Sequence, residues 1–409
     1  MWRSASLITS FYLVLAIIMI SLAYPQPDYS GLVAPRDFRV IFYSDSPRLA
    51  VLSSGNSTIL YVSGYVYRLN APASYACFNR SHLIVGLPNG FAFISSTVVL
   101  TISTLNLSGI LAGLSCNWTP YAILVSIDGV FLVDLKDGLV FRLPNLTISG
   151  YVSLLPTPKG VYVASGSSVV LVNLSGTFIY RLPGVISIHG LTLSHEGLVA
   201  YGSWGDSGLI YRFNVGEAML LSLPGRITSV DALTCFDYRC LAIIRPYGDW
   251  LIVVEFNNWR YTSHAKIITI RSFVYHASGS SDRVWISGEL ADLGVIVLGV
   301  HSTREAVIGF NNTHAVAWTE SYITPAPRLS KIKVYPSTWR TNINSFKIEF
   351  SETNGSVGYS DIRLSIVEAQ VDRLSTLITL IVVTLPLLAY IYNLTIKSSG
   401  AVMKLPVRS

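Results

Sequence analysis

Gly205-Asp206-Ser207-Gly208 carries the residue types of an activated serine nucleophile. Such a serine needs a histidine base and an acid to orient that base. Here the following glycine is missing, and no histidine stands in a matching context. A glycine-rich turn between two strands accounts for the same four residues. The seven histidines are His82, His189, His195, His264, His276, His301 and His314, and no two have metal-ligand spacing. A fold that closes on itself could still bring distant ones together, which spacing along the chain does not reveal. Asp128, Asp134, Asp137, Asp206 and Asp249 stand next to or near glycine, where turn geometry explains them. Calcium would need several oxygens converging, and no such cluster stands out. Phosphate-binding loops and zinc-hydrolase helix motifs are absent from the sequence. No catalytic residue, resident metal or cofactor is therefore expected, while a ligand at the centre of the fold stays open.

Two residue types do carry a signal. The four cysteines, Cys77, Cys116, Cys235 and Cys240, include no CxxC pair. An even count suggests disulfides if the chain is exported, with four buried free thiols as the alternative. The glycosylation sequon N-x-[ST] begins at Asn56, Asn79, Asn106, Asn117, Asn145, Asn173, Asn311 and Asn354, and again at Asn393. Chance would place about three among 17 asparagines, so the motif is enriched. Asn393 lies within an apolar segment and is expected to stay bare, and Pro120 disfavours the Asn117 sequon.

Composition and the chain ends agree with export. Hydrophobic residues make up 51% of the chain and charged ones 13%, which excludes intrinsic disorder. The formal charge of +6 is not a nucleic-acid signal. Four of the 29 bases, Arg3, Lys397, Lys404 and Arg408, lie at the ends, and the rest nearly balance the 23 acids. No basic run interleaved with aromatics appears between them, so no nucleic-acid partner is expected. Residues 1–23 read as a signal peptide: Arg3, an apolar run from Leu7 to Ile20, and Ser21-Leu22-Ala23 before the cut. An uncleaved anchor is the alternative. Leu374 to Ile396 is uncharged and long enough to span a bilayer as a helix. The basic tail behind it, 397–409, marks the cytoplasmic side. The expectation is a single-pass protein of the cell membrane, held there by its C-terminal helix (373–396), with the bulk of the chain outside.

The part outside repeats. Gly129-Val130-Phe131-Leu132-Val133-Asp134 and Leu139-Val140-Phe141-Arg142-Leu143-Pro144 form a hairpin pattern. It returns from Ser168 to Pro183, from Leu209 to Pro224, and more loosely from Ile59 to Pro72. Each unit holds about four short strands in about 40 residues, the period of a β-propeller blade. Stacking such sheets radially buries both faces of each. The fold class expected is all-β: a β-propeller of about seven four-stranded blades over 24–335, with boundaries near 72, 109, 146, 184, 225 and 266. The seventh blade would run to about 312, and His314–Thr319 would close the ring. Residues 336–372 alternate in the β manner and are expected to form a membrane-proximal stalk or one more blade.

The hairpin with Asp134, Asp137 and Gly138 resembles repeats of the quinoprotein-like and YVTN-like β-propellers, whose third strand runs into a D-x-x-x-G turn. The resemblance covers roughly 36–335. Asp134 and Gly138 match the pattern, whereas Arg142 stands where quinoproteins place tryptophan. It implies the fold more than any activity. In the repeat frame Cys77 and Cys116 are one period apart, which suits a disulfide across adjacent blades. Cys235 and Cys240 flank Phe236–Arg239 and suit closure of a hairpin. Most tryptophans are expected between blades.

Six sequons fall between 56 and 173 and none between 174 and 310. The bare stretch is expected to face an envelope protein or glycan partner, with chance clustering as the alternative. The function expected is a binding or scaffold module of a cell envelope, archaeal in character. A quinoprotein-like or glycan-active propeller enzyme is one alternative. An accessory subunit of a larger membrane or surface-filament assembly is another.

Overall fold

The computed structural model describes residues 30–368 apart from 35–37, 46, 80, 96–99, 106–108, 144–145, 149, 174, 247–249, 269–271, 281–282, 291–293, 301–307, 311–314, 318–325, 343 and 361–364. The signal segment, the apolar segment 374–396 and its basic tail lie outside the described residues, as do Asn106, Asn145, Asn311, Asn393, His301, His314, Trp318 and Asp249. Asp28–Glu368 forms one compact unit. Among the described residues no helix is long and apolar enough to cross a membrane.

Every described element is a strand. Six antiparallel sheets have five strands and one has four, with a separate two-stranded ribbon. The first six sheets each begin as a meander of four consecutive strands. The third, for example, runs Ile110–Ser115, Tyr121–Ser126, Gly129–Asp134 and Leu139–Leu143. Middle strands are apolar on both faces, because a neighbouring sheet covers each. Thr58–Val62 is buried throughout. The outer strand Tyr65–Leu69 is more open, with two exposed, two half-buried and one buried residue.

The cores lie between sheets rather than within one. Leu83, Val85 and Ile94 of the second sheet pack on Leu49, Val51 and Leu60 of the first. Ile244, Ile252 and Phe256 of the sixth pack on Val199, Ile210 and Met219 of the fifth. The first strand of each sheet touches the first strand of the next, from Arg39–Asp45 round to Ser272–Ser280. Arg39–Asp45 also touches Gly294–Val300 of the last sheet, which closes the ring. This is the topology of a β-propeller.

Two expectations are corrected. The strand that completes the last sheet is Ser30–Ala34, paired with Gly294–Val300, and not His314–Thr319. Ala315–Ala317 pairs instead with Ile308–Phe310. Short alternating segments mark strands without naming their partners, so pattern alone could not separate these two. Residues 336–368 form neither a stalk nor an extra sheet. From Arg328 the chain runs back round the ring and adds a fifth outer strand to sheet after sheet. Arg328–Lys333 pairs with sheet five, Ser337–Thr341 with four, Asn344–Lys347 with three and Phe350–Gly355 with two. Gly358–Tyr359 pairs with sheet one, and Ser365–Glu368 with the closing strand Ser30–Ala34. Among the described residues this belt covers the outer edge of every large sheet but the sixth, edges that would otherwise offer unpaired backbone to other chains. Most of its side chains are exposed, as expected of a strand with little to pack against.

The belt is pinned at turns. Gly138, with φ 69°, accepts a hydrogen bond from the Ile348 amide at 2.9 Å, and Gly216, with φ 61°, accepts one from Val334 at 2.9 Å. A Cβ at Gly138 would stand 2.4 Å from the Ile348 carbonyl oxygen, so glycine is needed there both for conformation and for space.

Candidate functional site

The turns that resembled chemistry are structural. Asp134 is buried, and its Oδ1 accepts the amides of Lys136 at 2.8 Å and Asp137 at 3.2 Å. Gly138 N donates back to Asp134 O at 3.0 Å. The D-x-x-x-G sequence is therefore a capped turn. Asp206 lies in the turn between the second and third strands of sheet five, with its carbonyl bonded to the Thr228 amide at 2.9 Å. Thr228 Oγ1 accepts from Gly208 N at 3.0 Å. The Gly205–Gly208 segment thus joins two sheets. Among the described residues no group of three or more His, Cys, Asp or Glu could hold a metal ion.

Both disulfides expected from the repeat frame are formed. Cys77–Cys116 joins the start of sheet two to the end of the first strand of sheet three, in the core between them. Cys235–Cys240 crosses the first hairpin of sheet six between directly opposed residues. That hairpin ends in Phe236-Asp237-Tyr238-Arg239. Phe236 is 59% exposed and Tyr238 61%. His195, from the matching turn of sheet five, lies with its ring 4.6 Å from that of Tyr238, and its Nδ1 is 3.1 Å from Asp237 O. The tip is thus braced from inside by a disulfide and from the side by a neighbouring sheet.

Behind this tip lies an ionic network at the same end of the two sheets. Arg212 is buried and bonds Glu196 Oε2 at 2.7 Å and Glu217 Oε1 at 2.5 Å. Lys331 of the belt reaches Glu217 at 3.4 Å. Burial pushes the Glu217 carboxyl up, but the Arg212 hydrogen bond and charge, with help from Lys331, outweigh it and leave the pKa lowered. The Arg212 guanidinium lies 5.4 Å over the Trp259 ring. Trp259 is buried, yet its backbone is left-handed with φ 58°, as is that of Asn258 at 48°.

A second cluster sits toward the other end of the same seam. The innermost strands of sheets five and six each carry a β-bulge, between Ile188 and Gly190 and between Val230 and Ala232. The extra residues are His189 and Asp231. Bulges re-aim side chains, and these two meet with His189 Nδ1 3.8 Å from Asp231 Oδ1. Asp231 Oδ1 accepts from Ser229 Oγ at 2.6 Å, and Oδ2 pairs with Arg245 Nε at 2.6 Å. The Tyr151 ring covers His189 at 4.4 Å. His189 Nδ1 is buried without a hydrogen-bond partner. Burial lowers the His189 pKa against the opposing pull of Asp231 and the Val230 backbone. Burial, then the Asp231 charge, push the Tyr201 phenol up to about 12.

Histidines 42 residues from their eventual partner give no spacing signal, and neither bulge has a sequence signature, so reading the chain missed this pair. The other described histidines are not brought together with it. His82 bonds Ser81 Oγ at 2.8 Å, His264 lies against Tyr261, and His276 is in strand Ser272–Ser280. The described sequon asparagines are placed as follows. Asn56 and Asn117 are exposed in turns, and Asn354 is exposed in the belt. Asn79 and Asn173 stand half-buried at strand ends. Trp118 departs from expectation: it is 74% exposed beside Asn117 rather than packed between sheets.

No protein-family model matches the chain, and no curated protein sequence matches it. Solved structures similar to it include AztD of Citrobacter koseri, at 9% identity and TM-score 0.45, covering 75% of this chain and 98% of that one. The computationally designed Ika8 protein is similar at 10% identity and TM-score 0.42, covering 66% and 98%. The Cps50 (Swd1) β-propeller domain of Myceliophteria thermophila is similar at 9% and 0.42, covering 65% and 96%. At TM-scores below 0.5 these likenesses add nothing to the topology described above.

Proposed function

We propose that the chain is a membrane-anchored, extracytoplasmic β-propeller glycoprotein of seven blades, one per large sheet, that docks a protein partner through the tip of its sixth sheet. The observation that carries this reading is the Cys235–Cys240 hairpin with Phe236 and Tyr238 exposed at its end. Exposed aromatics are effective anchors at protein interfaces. A tip held by a disulfide loses little freedom on binding, so less of the contact energy is lost to ordering.

Sequon placement supports the same surface. At this end of the ring the turns or adjoining strand ends of sheets two, three and four carry Asn79, Asn117 and Asn173. Those of sheets five and six carry none. Sugars on the first group would leave the second as the open approach. Anchoring rests on the uncharged segment 374–396 and export on residues 1–23.

The test is native mass spectrometry of the full-length protein extracted gently from its own membrane. A stoichiometric protein partner is expected. The double substitution Phe236→Ala, Tyr238→Ala should lose it, while Tyr65→Ala, which removes an equally exposed ring on sheet one, should keep it. A lone protomer, or a partner retained by the double variant, would overturn the proposal.

A further inference from the structure

The His189–Asp231 seam is not demanded by the fold. The innermost strands of sheets one and three carry bulges at the corresponding position, and there the extra residues are the apolar Ile41 and Ala112. An apolar pair would serve packing at sheets five and six equally well. Instead the chain places an imidazole and a carboxylate there, each side chain 12% exposed. Burying polar groups costs free energy unless their hydrogen bonds are met, and His189 Nδ1 is unmet. An exposed aromatic stands over the pair: Tyr151 is 57% exposed. Val185 and Ile227, at the equivalent starts of sheets five and six, are exposed as well.

We propose that this seam binds a neutral saccharide, with the Tyr151 ring against the apolar C–H face of a sugar and Asp231 and Arg245 on its hydroxyls. Charge decides the class of ligand. Arg245 and Asp231 already neutralise one another through their 2.6 Å contact. A carboxylate or phosphate arriving here would meet Asp231 without an unpaired cation to offset it, and a cationic ligand would meet Arg245. A polyol meets neither penalty. It can donate to the carboxylate and accept from the guanidinium. The 3.8 Å between His189 Nδ1 and Asp231 Oδ1 is too long for a direct hydrogen bond. Asp231 and Arg245 lie on the strands of the stapled hairpin, but at the end opposite its exposed tip, so the inference stands apart from the docking surface.

The experiment uses full-length protein in a detergent without a sugar headgroup, titrated by ligand-observed NMR. The probes are the methyl glycosides of glucose, mannose, galactose and N-acetylglucosamine, with sialic acid as the acidic comparison. At least one neutral glycoside should saturate with a Kd of about 1–10 mM, the range of a small shallow site. Tyr151→Ala, at an exposed position, should weaken it at least tenfold with an unchanged melting temperature, and Tyr151→Phe should restore it. Asp231→Asn should weaken it as well, and Phe236→Ala should not. The inference is overturned if no neutral glycoside binds, if sialic acid binds in preference, or if binding survives both Tyr151→Ala and Asp231→Asn.

Discussion

Trp259 keeps a left-handed backbone that bulky residues avoid, at a turn where sheet one uses Ser63-Gly64. Its buried ring, packed in the sheet five–six core under Arg212, explains the exception. Replacing it with glycine should recover about 1–2 kcal/mol of backbone strain and lose about 3–5 kcal/mol of packing. Trp259→Gly is thus expected to be destabilising by about 2 kcal/mol net, read by denaturant unfolding. A more stable variant would show that strain and not packing dominates. His189 gives a pH prediction. Its folded pKa lies below the usual 6.5, so the unfolded chain takes up the proton first. Stability should therefore fall as pH drops through 6.5 toward the lower folded value. Tyr151, Asp231 and Arg245 face this imidazole. His189→Gln should flatten that part of the melting-temperature profile, and an unchanged slope would assign it elsewhere. At this scale the cysteines were legible because the repeat period placed Cys77 and Cys116 one sheet apart and Cys235 and Cys240 across one short turn. The His189–Asp231 pair was not, because two bulges in different sheets create it.

Among elements, the two disulfides should contribute unequally. Cys77–Cys116 closes a loop with a sequence separation of 39 and should contribute about 4 kcal/mol by restricting the unfolded chain. Cys235–Cys240 spans a separation of 5 and should contribute about half that. Serine pairs at each, compared by denaturant midpoint, would test the order. Equal losses would mean that local packing outweighs loop entropy. Gly138→Ala places a Cβ against the Ile348 carbonyl at an unfavourable φ. A cost of about 2 kcal/mol is expected, with hydrogen exchange rising first in Asn344–Lys347 if the belt yields before the sheet. The four-strand hairpin units could be read from the sequence because core strands must be apolar on both faces and end at glycine turns. The belt could not: Phe346-Lys347-Ile348-Glu349-Phe350 alternates like any edge strand, and alternation does not say which edge it joins.

For the whole molecule, the closed ring and its interleaved cores followed from the repeat, whereas closure itself depended on a segment with no repeat signature. Ser30–Ala34 lies between Gly294–Val300 and Ser365–Glu368, so both ends of the described chain share one sheet. Ser30 is paired with Glu368. Tension on the chain beyond Glu368 therefore acts on the last rung of that pairing and opens it rung by rung, rather than loading all rungs together. The belt would be drawn off the ring in the order seven, one, two, three, four, five, while every sheet kept four strands. Stretching the protein from its C-terminal end should show an early lengthening of roughly 130 Å at low force as the belt pays out, before any sheet of the ring gives way. The belt would then be a shock absorber between the ring and whatever holds its C-terminal end.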